Sequence, residues 1–193
     1  EDLASKIRLM KNFGFAGYDR VIYIGTNGKM SDAAAAMGLS GLENLPDFIA
    51  VNQRNHHQYR SELADVPGLV VLEPPPGEAS NFHYVVAEVD EEAAGLGREQ
   101  LIAVLAAEGV LARRYFWPGI HRMEPYRSYY PNACLLLPHT VGVAGRVVVL
   151  PTGTAVGTDE VASVCGLIRF AVAHGCEITT RLSSQPLEVY PTP

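Results

Sequence analysis

The stretch Tyr23-Ile-Gly-Thr-Asn-Gly-Lys-Met-Ser-Asp-Ala-Ala-Ala-Ala-Met37 sets a glycine-punctuated turn directly against the start of a helix. Asn27 and Lys29 lie in the turn, and Ser31 or Asp32 stands where it can cap a helix from Ala33 to about Leu42. A helix start offers unpaired N–H groups and the positive end of a dipole, so a turn of this composition can seat an anion. The local residues leave two readings open: an anion-holding arm, or a capped turn with a solvated lysine. Four consecutive alanines imply a helix packed closely against another surface.

Two familiar phosphate motifs are excluded here. A nucleotide-hydrolase loop needs a glycine five residues before Gly28-Lys29 and a Ser or Thr after it; the glycine is missing and Met30 follows. The three-glycine dinucleotide fingerprint is absent as well.

Working outward, residues 1–12 carry Leu3, Ile7, Leu9 and Met10 between charges and stop at Gly14. They read as the last turns of a helix whose beginning is missing. Val21–Ile24 reads as a short strand or connector. Pro46 fits the first turn of a helix reaching about Leu63. The period then changes. Leu69–Leu72 and Phe82–Val89 are strand-like, separated by Pro74-Pro-Pro-Gly77, and Val110–Phe116 reads as a further strand after a helix over Arg98–Glu108. Val147–Leu150 is a short extended piece, and Thr158 caps a helix to about His174. Residues from Cys176 onward lack strong periodicity and read as a tail. The implied division is 1–66, connecting helices and arm; 67–175, a small domain; 176–193, tail. Helices segregated from a small, mostly antiparallel sheet make an α+β fold.

A second loop carries polar tips: Tyr115-Phe-Trp-Pro-Gly-Ile-His-Arg-Met-Glu-Pro-Tyr-Arg127. A strand feeding a Pro-Gly turn would put His121 and Tyr126 at the mouth of a sheet, where binding residues collect. A structural histidine bonded to backbone is the competing reading. The pair His56-His57 points to two helix faces and reads as solvated surface, since a metal site would need i, i+4 spacing. Arg113 and Arg114 would lie on opposite faces of a strand. The cysteines Cys134, Cys165 and Cys176 show no activating neighbour and read as buried packing.

The 193 residues are 48% apolar and 19% charged, with a net charge of −6 and a mean hydropathy near zero. This is ordinary globular composition, and its acidic balance argues against nucleic acid or an anionic membrane as partner. No apolar run approaches the roughly 20 residues of a membrane span. Three widely spaced cysteines point away from a disulfide framework and toward a reducing cytoplasm.

Arg8-Leu-Met-Lys-Asn-Phe-Gly14, Gly25-Thr-Asn-Gly-Lys-Met-Ser31 with its alanine helix, Tyr115–His121, Pro125-Tyr126 and Leu150-Pro-Thr-Gly153 with Thr158–Val161 occur in an order that closely resembles one family. It is the C-terminal half of the DegT/DnrJ/EryC1/StrS aminotransferases, covering roughly residues 3 to 174. The resemblance implies the C-terminal lobe of a fold-type-I enzyme that uses pyridoxal 5'-phosphate (PLP) to aminate nucleotide-linked keto-deoxysugars, with glutamate as donor. It implies that Asn27 reaches across a homodimer interface to a cofactor phosphate, that Lys29 replaces the usual arginine beside it, and that Tyr23, His121 and Tyr126 belong to the substrate region. The Schiff-base lysine is expected in a preceding N-terminal half, since Lys6, Lys11 and Lys29 fit none of its positions. The chain is then a fragment, one part of a split enzyme, or a non-catalytic regulatory relative.

Overall fold

The computed structural model describes residues 1–183 and groups the chain into two compact units, Glu1–Pro46 and Asp47–Pro193. This boundary is a different cut from the functional division at residue 66, which falls inside the second unit.

In the first unit, α1 (Asp2–Met10) and α2 (Asp32–Glu43) flank the arm. Ser31 is the cap of α2, its Oγ accepting from the Ala34 N–H at 3.2 Å. The last carbonyls of α1 take their partners from the arm: Thr26 N–H donates to Met10 O at 2.9 Å and Gly28 N–H to Lys11 O at 2.8 Å. Val21 makes a single bridge to Phe15 rather than a strand. Gly14, at φ +81°, does more than stop a helix. A Cβ there would stand 1.8 Å from the Tyr23 carbonyl oxygen, so the two backbones touch. The alanine helix buries no residue within this structure.

The second unit is built around one sheet. After α3 (Leu45–Glu62), β1 (Leu69–Val71) pairs antiparallel with β2 (Val85–Val89), and β2 with β3 (Val147–Leu150). Between β2 and β3 come α4 (Glu91–Ala94), α5 (Arg98–Ala107), a turn of 3-10 helix (Ile120–Arg122), α6 (Tyr126–Tyr129), α7 (Ala133–Leu136) and α8 (Pro138–Arg146). The chain then continues through α9 (Thr158–Ala173) and α10 (Gly175–Leu182). Strand alternation puts Val85, Ala87 and Val89 on the inner face opposite Val148 and Leu150. Leu101, Ile102 and Leu105 of α5 and Val161, Val164 and Ile168 of α9 close the core over them. Each such side chain contributes about 1.5–3 kcal/mol on burial.

The structure corrects several expectations. Val110–Phe116 is not a strand: only Arg113 bridges to Val149, because the chain turns at Arg114, whose carbonyl accepts from Trp117 N–H at 2.7 Å. Gly157, not Thr158, is the cap of α9, and the Glu160 carboxylate accepts from its N–H at 2.9 Å. The first part of the expected tail is helix α10, whereas residues 184–193 lie outside the described residues. His56 is buried rather than solvated, packed on Phe82 with Nε2 2.9 Å from the Leu72 carbonyl; His57 is exposed. Of the cysteines, only Cys165 is buried.

Burial raises the pKa of the Tyr59 hydroxyl and pushes the Cys165 thiol up to about 12, with Glu62 adding in the same direction. Both groups have a folded pKa above the unfolded one. The stability they contribute is intact below about pH 9 and is lost as pH rises toward 12. The urea midpoint should therefore hold from neutrality to about pH 8.5 and fall between about pH 9 and 12. A midpoint that stays flat through that window would refute this reading.

Candidate functional site

One face of α3 reaches across to the loop after β3. Asn52, Asn55 and Tyr59 recur at helical spacing, with Arg54 and Gln58 beside them. Asn55 is fully buried and donates from Nδ2 to the Val156 carbonyl at 3.0 Å and to Thr152 Oγ1 at 3.3 Å. Thr152 in turn donates to Asn52 Oδ1 at 3.1 Å, and Tyr59 donates to the Pro151 carbonyl at 3.0 Å. These bonds pin the Leu150-Pro-Thr-Gly153 segment. Nothing in local composition marked them, because the partners lie about a hundred residues apart.

The expected site residues fall into two groups. Tyr23, Asn27 and Lys29 belong to the first unit. Tyr23 is half-buried, while Asn27 and Lys29 are exposed, and the Lys29 ammonium stands 5.3 Å from the Phe13 ring centre. The arm's own backbone is held by α1, so Asn27 and Lys29 present their side-chain donors from a tied turn. An amide and an ammonium two residues apart form a donor set suited to a phosphate.

His121 and Tyr126 come together in the second unit. They line a cleft of about 620 Å³ with Phe116, Ile120, Tyr130 and Leu137. Its wall is almost wholly apolar, with a few polar tips, as small-molecule sites are. Among the described residues His121 Nε2 is buried there without a hydrogen-bond partner, so the competing reading of a backbone-bonded histidine gains no support from that atom. Gly119, at φ +91°, lets the imidazole fold back: a Cβ there would stand 2.6 Å from His121 Cε1. The far wall, Ala133–Thr140, went unread in the sequence, although Leu135-Leu-Leu137 between two prolines was the available signal.

Arg113 and Arg114 line one smaller cleft with Trp117 rather than opposite faces of a strand. Arg113 lies over the Tyr115 ring at 4.6 Å, and Arg114 pairs with Glu99 at 2.9 Å. A larger cleft of about 710 Å³ carries Glu88, Asp90, Glu91 and Glu92 beside Arg98 and Arg146, and Arg146 is paired with Glu88 at 2.7 Å. Among the described residues no His/Cys/Asp/Glu cluster could hold a metal ion, and no single helix is long and apolar enough to cross a membrane.

Comparison with known proteins places this geometry. The chain matches the DegT/DnrJ/EryC1/StrS aminotransferase family over residues 1–169. It is 30% identical over 169 residues to a dTDP-4-amino-4,6-dideoxy-D-glucose transaminase of Shigella dysenteriae, covering 88% of this chain and 45% of that one. The Escherichia coli transaminase of the same name is 31% identical, at 86% and 45%. The fold of this chain superimposes on DesI, crystallised in the presence of its TDP-sugar product, at a TM-score of 0.82 and 44% identity, over 94% of this chain and 46% of DesI. The chain thus spans about 45% of the length of the curated relatives it matches. Its α+β architecture, helices around a three-stranded antiparallel sheet, is that of the corresponding part of these PLP enzymes. This chain belongs to the DegT/DnrJ/EryC1/StrS aminotransferase family.

Proposed function

We propose that this chain is the C-terminal portion of a PLP-dependent aminotransferase that aminates a nucleotide-linked keto-deoxysugar, with glutamate as donor. The observation that carries the reading is the tied arm, which holds out Asn27 and Lys29 in a chain whose relatives are dTDP-sugar transaminases. Those relatives also leave a non-catalytic regulatory role without favour.

In this reading Asn27 donates its amide to the cofactor phosphate of a neighbouring subunit. Lys29 adds charge there without the two-pronged geometry of an arginine. When bound, PLP supplies the electron sink for moving an amino group between carbons. His121, Tyr126 and Tyr23 hold the sugar nucleotide, and the apolar cleft excludes water around it. The amine that carries the cofactor comes from an N-terminal half, which also makes most of the cofactor contacts. Lys6 is engaged with Asp2 at 2.8 Å, Lys29 lies on Phe13, and neither these nor Lys11 is assigned that role. The exposed apolar residues of α2, Met37, Leu39 and Leu42, support a homodimer, and the cysteine pattern supports a cytoplasmic setting.

The test is Asn27→Ala in the polypeptide that carries the whole reaction. PLP affinity should weaken by about 1.5–3 kcal/mol, the worth of one charge-assisted hydrogen bond. Unchanged affinity removes the phosphate role. Mixing this chain alone with PLP checks the lysine assignment: a visible band that borohydride fixes onto Lys6, Lys11 or Lys29 would overturn it.

A further inference from the structure

Arg98 occupies a place that simple electrostatics disfavours. It is the first residue of α5, where the helix dipole is positive, and it is only 4% exposed. Burying a cation is costly unless its donors are met. Here they are met by three groups from different segments. The guanidinium donates to the Glu99 carboxylate and to the Ala144 carbonyl, and it lies over the Trp117 ring with Cζ 4.5 Å from the centre. The second Glu99 oxygen takes Arg114 at 2.9 Å.

Two of those partners, Trp117 and Ala144, lie on the segments that supply the two walls of the His121 cleft without lining it themselves. Trp117 opens the turn that delivers Ile120 and His121, and its N–H is bonded to the Arg114 carbonyl. Ala144 lies in the last turn of α8, the helix that brings Thr140 to the opposite wall just after Leu137. Between Trp117 and His121 only Pro118, Gly119 and Ile120 intervene, and the imidazole folds back into the space that a Cβ on Gly119 would fill.

We infer that Arg98 is a positioning residue of this cleft, holding the His121 turn and α8 at a fixed spacing through Trp117 and the Ala144 carbonyl. Its consequence for the reaction rests on the sugar-binding role proposed above. An arginine suits the task because its planar fork can stack and donate at once, whereas a lysine supplies only a point charge. Were Arg98 present for stability alone, an apolar residue of similar length would serve as well.

Trp117 is the chain's one tryptophan, so its fluorescence reports on this contact directly. Arg98→Lys is compared with wild type by Trp117 emission, acrylamide quenching and the His121 Hε1 resonance. Arg98→Met, which keeps the stem, is carried alongside in case one variant fails to fold. In a folded variant, quenching should rise about twofold as the ring loses its cover, and the His121 resonance should move. In the complete enzyme, the KM for a dTDP-linked keto-deoxysugar should rise about tenfold with kcat within about twofold. Trp117 and His121 signals that superpose on wild type, with stability alone lowered, would overturn the inference. If both signals move but the wild-type enzyme turns over no nucleotide-linked sugar, the positioning role stands and the proposed function falls.

Discussion

Replacing Asn55 with alanine is expected to lower the stability of the second unit by about 3 kcal/mol. The side chain is fully buried, and its amide makes two bonds to the loop after β3 while its oxygen accepts from Arg54 at 2.9 Å. Truncation leaves a cavity and removes partners from Thr152 and from Arg54 together. Val156 O keeps a bond from Arg54 at 3.2 Å, so the loss stays below the sum of all the bonds. With a urea slope of about 1.5–2 kcal/mol/M for a domain of this size, the midpoint should fall by roughly 1.5–2 M. Thr152→Val alone should cost less, and the double mutant should show a coupling of about 0.5–3 kcal/mol, because both side chains belong to one network. A loss under about 1 kcal/mol for Asn55→Ala, or strict additivity with Thr152→Val, would show that the clamp does not hold the loop.

The helices were largely legible because their ends are written locally. Ser31, Pro46 and Gly109 mark boundaries that the structure places within a residue or two. The strands Leu69–Val71 and Val147–Leu150 were legible from β-branched runs. Val110–Phe116, with one β-branched residue and two aromatics, read as a strand and failed as one. Its Arg114 pairs with Glu99, and the Trp117 ring just after it lies on Arg98. Local propensity competes poorly with a buried guanidinium that needs its partners. His56 was misread for a related reason. A His-His pair on a polar helix looks solvated until Phe82 and the end of β1 are folded over one of them. The His121 turn was legible as a loop with polar tips, whereas its cleft was not, because α7 and α8 supply the other wall from a stretch without periodicity.

Gly25→Ala should abolish the ordered arm while leaving the second unit folded. A Cβ on Gly25 would stand 2.3 Å from Gly14 N, 2.4 Å from Phe13 C and 2.5 Å from Met10 O. All three are backbone atoms, at the end of α1 or in the turn just after it, so no rotamer change relieves the overlap. The same atoms take part in the bonds that tie the arm: Met10 O accepts from Thr26 N–H, and Gly14 N–H donates to Leu9 O at 2.9 Å. Separating the two backbones therefore breaks the lacing that presents Asn27 and Lys29. The expected cost, about 4 kcal/mol or more, exceeds what a segment of this size can supply from its own contacts. Amide resonances of residues 10–30 should lose their dispersion, with those of the core around Leu101 and Ile168 unmoved. PLP affinity of the complete enzyme should fall by at least as much as for Asn27→Ala, since the arm loses both phosphate donors at once. An arm that stays ordered in Gly25→Ala would mean that the contact between Gly14 and Gly25 does not set its shape. An arm that melts with no change in PLP affinity would remove Asn27 and Lys29 from the cofactor site altogether.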